Sequence, residues 1–163
     1  MANYLVWWDS EAGAGSGKLR FIKINPEWTK AEIVSRLGPS FQADRDIISS
    51  MTTISDTNLP SDFRWNKAWT INNGVVSVSM PRAKALAKEI IKARWEISGP
   101  SIKAKLAYAN ATGNIQDASA AQQELNQWTT IKSSNAVQNA TSTADLQTII
   151  DQVIALSAPY IRE

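Results

Sequence analysis

The chain has 163 residues, 44% of them apolar and 20% charged, with a formal net charge of +2. It contains no cysteine and no histidine, which excludes disulfides, thiolate metal sites and thiol nucleophiles, and removes the commonest metal ligand and general base. A chain this long buries roughly 70% of its unfolded surface and reaches a core without covalent staples, as one domain or one domain with an appendage.

The opening MANYLVWWDS has neither a basic leader nor a long apolar run, so no signal segment or membrane span is expected. Tyr4 to Trp8 reads as a short strand, Asp9 to Gly17 as a loop, and Lys18 to Ile24 as a second strand that pairs with the first in a hairpin. Thr29 and Glu32 form a capping-box pattern that predicts a helix over Lys30 to Leu37, stopped by Gly38-Pro39. Phe41 to Ser50 fits no pattern. Met51 to Ile54 reads as a strand, Asp56 to Asp62 as a turn and Trp65 to Ile71 as another strand. Asn73-Gly74 then marks a hairpin returning through Val75 to Val78.

At Ser79 the pattern changes from period 2 to period 3.6. Ser79 is an N-cap and Pro81 sits in a first turn, where its missing N–H costs nothing. Met80, Ala83, Ala87, Ile91 and Trp95 then share one helix face, and Ile102, Leu106 and Ala109 resume it. Gly99-Pro100 between them predicts a kink or break. A polar break at Asn110 to Asn114 is followed by Ala118, Ala121, Leu125, Trp128 and Ile131 at helical spacing. Lys132 to Asn139 reads as a loop. Ser142 and Asp145 make a second capping box, opening a last amphipathic helix through Leu146, Ile149, Ile150, Val153 and Leu156. The expected fold class is α+β: a small β-rich interaction module with one short helix over residues 1–78, then a helical hairpin plus a third helix over 79–163.

No motif in this chain carries catalytic chemistry. Ala12 to Leu19, AGAGSGKL, imitates a phosphate loop, but Leu19 stands where a magnesium-binding Ser or Thr is needed, and a strand follows instead of a helix. The carboxylate pairs Asp9/Glu11 and Asp44/Asp46 fall in turn-like segments. Seven basic residues between Arg82 and Lys105 face Glu89 and Glu96 and spread around a solvent side, which reads as a solvated face rather than a DNA-binding stripe. The expectation is therefore no enzyme activity, no cofactor, no metal and no nucleic-acid partner. Trp7 and Trp8 are adjacent, so on a strand they point to opposite faces. Trp95 and Trp128 sit on thin, alanine-rich helix stripes that need further cover. These four are the candidate interface residues.

One ordered set of segments resembles a family. It runs from Ile54-Ser-Asp-Thr-Asn-Leu-Pro-Ser-Asp through Phe63-Arg-Trp-Asn-Lys-Ala-Trp69 and on into Met80-Pro-Arg-Ala-Lys-Ala. Pro100, the Gly113 break, an Ala- and Gln-rich helix and the Thr143-Ala-Asp-Leu146 helix start follow. Over residues 51–150 the chain resembles small proteins encoded beside tail-fibre genes in tailed bacteriophages. The resemblance implies a structural component of the virion, at the tail fibre or its attachment, made in the host bacterial cytoplasm. It implies other phage tail or fibre proteins as partners, oligomeric assembly and no membrane partner. A fibre-assembly chaperone that stays outside the particle is the alternative it leaves open.

Overall fold

The computed structural model describes residues 3–8, 19–25, 27–37 and 52–161. The chain is α+β, and it divides into two compact units, Met1–Arg82 and Ala83–Glu163. Among the described residues no helix is long and apolar enough to cross a membrane. The glycine-rich stretch resembling a phosphate loop, the Asp9/Glu11 and Asp44/Asp46 pairs and the unpatterned Phe41 to Ser50 lie outside the described residues.

The first unit holds two small antiparallel sheets. Strands β1 (Asn3–Trp8), β2 (Leu19–Ile24) and β3 (Thr52–Ser55) pair in the order β2-β1-β3, with Asn3 opposite Ile24 on one side and Ser55 on the other. Helix α1 (Lys30–Leu37) lies between β2 and β3 in the chain. Its capping box is reciprocal: the Thr29 N–H donates to the Glu32 carboxylate at 2.7 Å and the Glu32 N–H donates to the Thr29 hydroxyl at 3.3 Å. Strands β4 (Trp69–Asn72) and β5 (Val75–Val78) form the second sheet. Asn73 (φ 50°) and Gly74 (φ 76°) both turn left-handed, the geometry a two-residue hairpin requires. Ile54, Trp69 and Val76 form a core cluster among the described residues of this unit, with Leu59, Ile71 and Val78 against it.

The strand expected over Trp65 to Ile71 begins only at Trp69. Phe63–Ala68 is a 3-10 helix instead. Asp62 is the reason. Its carboxylate caps the turn by accepting the Arg64 N–H at 3.0 Å, and it grips the guanidinium at 2.9 and 2.8 Å. These bonds, the side-chain one foremost, hold Asp62 below the usual aspartate range. Trp65, Ala68 and Trp69 are all enclosed, a three- and four-residue spacing that a helical turn satisfies and a strand does not.

The second unit is helical. Helix α2 (Met80–Thr112) begins at the end of the first unit and supplies the second with its longest element. Of the kink or break expected at Gly99-Pro100, a break does not occur; the helix runs through both residues. A proline crowds both the N–H and the Cβ of the residue before it, and glycine removes the second of these, which eases the passage of the helix through Pro100. The helix ends in a Schellman motif. Gly113 (φ 68°) donates to the Asn110 carbonyl at 3.3 Å and Asn114 to the Ala109 carbonyl at 2.9 Å. Asn114 then caps α3 (Ile115–Ser133), accepting from the Asp117 N–H at 3.2 Å. A Cβ on residue 113 meets nothing within 4 Å, so the backbone alone sets the cost of one. Gly113→Ala is expected to lower stability by about 1–2 kcal/mol, read by urea titration of the circular dichroism signal.

The loop expected over Lys132 to Asn139 is also corrected. Helix α3 continues to Ser133, and Ala136–Asn139 forms a one-turn helix, α4. Lys84 ties α4 to α2 by donating to the Gln138 carbonyl at 2.6 Å, and Val137 is buried. Helix α5 (Thr143–Ser157) starts at the expected capping box and buries Leu146, Ile150 and Val153. Its Asp145 carboxylate is held below the usual range, first by the Thr141 N–H and then by the Ser142 hydroxyl. A depressed folded-state pKa gives stabilisation that is full above the ordinary aspartate pKa and is lost as pH falls through the folded value. The stability difference between wild type and Asp145→Asn is therefore expected to shrink as urea melts are taken from about pH 7 to about pH 2.

Candidate interaction surface

The apolar stripe of α2 is narrow. Ala83, Ala87, Ile91 and Ile102 are buried, and Trp95 is partly buried among them. Helix α3 presents Ala121 and Trp128, both fully enclosed. The two tryptophans meet with ring centroids 5.4 Å apart and planes tilted by 54°, the separation and tilt that aromatic quadrupoles favour. Gly99 makes room for this. A Cβ there would lie 2.7–2.9 Å from the Trp95 ring, closer than carbon atoms pack, so the ring rests on bare backbone one turn along its own helix.

Beside the tryptophan pair lies an open groove of about 530 Å³. Ile91 and Trp95 from α2, Ile131 from α3 and Val137 from α4 give it an apolar floor. Its rim is cationic. Lys88 and Lys92 stand on the α2 side and Lys132 on the α3 side, with Glu96 the one carboxylate among the lining residues. The Lys132 ammonium lies 4.4 Å from the centroid of the Trp95 ring, and that of Lys103 lies 5.8 Å away. Lys92 and Glu96 approach to 3.9 Å, but both side chains are well exposed, at 77% and 62%, so water screens the pair and leaves the rim positive.

At the other end of the unit Glu124 joins three elements. Lys105 from α2 reaches it at 3.2 Å, and the Tyr160 hydroxyl, from the 3-10 turn Ala158–Tyr160, donates to its other oxygen. Burial first, and then the bond to Glu124 and its charge, push the Tyr160 phenol up to about 12. This cluster closes the helical unit and leaves Tyr160 a neutral donor at physiological pH.

Of the four aromatic residues that the sequence offers for an interface, Trp95 and Trp128 are brought together in the second unit, and Trp7 and Trp8 belong to the first. Trp128 has no exposed area to present; its contribution is to support Trp95 from beneath. Trp7 and Trp8 occupy adjacent register positions on β1, opposite Arg20 and Leu19, and their side chains lie outside the described ones. Lys132 and Val137 as groove residues, and Gly99 as the seat of the Trp95 ring, are not visible in the sequence. Val137 sits on a single turn of helix, too short for any periodicity to reveal, and Gly99 reads as a helix breaker until the Trp95 ring is placed over it.

Comparison with protein-family models, curated proteins and solved structures finds no match to this chain.

Proposed function

We propose that this chain is a structural component of a tailed-phage virion, at the tail fibre or its attachment to the tail or baseplate, acting through protein–protein contact. The observation that carries the reading is the use made of the segment that resembles the tail-fibre-associated proteins. Within Ile54 to Trp69, the residues Ile54, Trp65, Ala68 and Trp69 are enclosed, and Asp62 and Arg64 lock to each other. The segment is used to build a fold rather than to hold reacting groups, as suits a part that works by being assembled. An apolar groove on the second unit supplies a surface for such contacts.

Mass spectrometry of gradient-purified particles tests this. Peptides of the chain are expected in the tail fraction at a fixed ratio to fibre protein. Their absence from particles, with recovery of the chain on fibre protein in infected cells, replaces the reading with that of an assembly chaperone. Absence from both overturns the phage reading altogether.

A further inference from the structure

We propose that the groove between α2 and α3 is a docking site for an acidic, apolar-faced peptide segment of another protein. The inference stands on the groove alone and holds whether or not the chain is carried in a virion. Its floor is aliphatic apart from Trp95, so it takes large apolar side chains by burial. About 530 Å³ accommodates several of them. Three ammonium groups, those of Lys88, Lys92 and Lys132, stand around that floor against the carboxylate of Glu96. A segment that puts Leu- or Ile-sized residues on the floor therefore meets positive charge on both walls. Carboxylates flanking its apolar residues gain from both sides, and lysines there are repelled.

Nucleic acid fits the same charge less well. Stacking a base needs an open aromatic face, and the Trp95 ring is tilted against Trp128 and approached by Lys132. A second copy of the chain also fits poorly. Its acidic amphipathic helix is α5, with Asp145 and Asp151, and the apolar Leu146, Ile150 and Val153 of that helix are already enclosed in its own unit.

The test pans a random 16-residue peptide library, displayed on yeast, against the full chain. The enriched peptides are then synthesised for affinity measurement. The expected result is enrichment of peptides with an excess of Asp and Glu around two or more large apolar residues. Binding is expected to weaken at least about tenfold in the Lys92→Glu/Lys132→Glu double variant, and to weaken as NaCl is raised from about 50 to 500 mM. Trp95→Ala is the obvious variant, but it removes a packed ring; the double variant changes exposed side chains only, and circular dichroism checks that it folds. The proposal is overturned by no enrichment, by enriched peptides that are neutral or basic, or by affinity unchanged in the double variant. It is also overturned if sedimentation shows a dimer of the wild type that the double variant abolishes, or if an oligothymidylate displaces the selected peptide.

Discussion

Replacing Trp128 with Ala is expected to lower the stability of the helical unit by about 3–5 kcal/mol. The indole is fully enclosed, so its removal leaves a large cavity between α2 and α3, and it removes the ring on which Trp95 rests. Alanine-rich stripes cannot collapse to fill the space, because Ala83, Ala87, Ala109 and Ala121 have no side-chain length with which to follow. Trp128→Phe is expected to cost much less. The Trp128 Nε1 is buried with no hydrogen-bond partner among the described residues, so phenylalanine loses area but no bond, and it removes a desolvated donor. Urea titration followed by far-ultraviolet circular dichroism measures both. Equal losses for the two variants would show that volume in this core does not matter as the packing implies.

Two neighbouring substitutions in α2 are expected to act in opposite directions. Pro100→Ala is expected to raise stability by about 1–3 kcal/mol, since an exposed proline inside a continuous helix withholds a hydrogen bond and crowds the carbonyl four residues before it. Gly99→Ala improves helix propensity by about 1 kcal/mol. It also drives a methyl group into the Trp95 ring and restores the Cβ clash with Pro100. Overpacking of that kind costs about 1–3 kcal/mol, so the net effect is expected to be a loss, accompanied by a shift in Trp95 fluorescence as the ring leaves its seat. In the Pro100→Ala background the Gly99→Ala loss is expected to shrink but keep its sign, because the ring contact remains. Thermal melts of the two single variants and the double variant separate the proline term from the tryptophan term.

Much of the helical half is legible in the sequence because its signals are local. Ser142 and Asp145 stand three apart and make the bonds that spacing implies, and the same holds for Thr29 and Glu32. Asn73-Gly74 dictates its hairpin through backbone sterics alone. The failures share a different cause. Trp65, Ala68 and Trp69 satisfy a helical turn, yet the aromatic run around them favours a strand on composition; the carboxylate of Asp62 decides between them. Gly99-Pro100 is read as a kink or break because propensity treats each residue singly; the helix does not end there, and the ring of Trp95 lies over the glycine. The groove is legible through Ile91, Trp95 and Ile131, which lie on the apolar stripes. Its other walls come together through the placement of α4, which Lys84 and Val137 fix from a distance in sequence.

The Trp95–Trp128 pair also gives the molecule an optical signature. Two indoles with centroids 5.4 Å apart and planes tilted by 54° exchange excitation strongly, and a tilted coupled pair rotates polarised light with paired bands of opposite sign. That coupling exists only while α2 and α3 hold the rings in place. The helical unit thus carries its own chromophore, and the assembly of its core is readable as light, without a label.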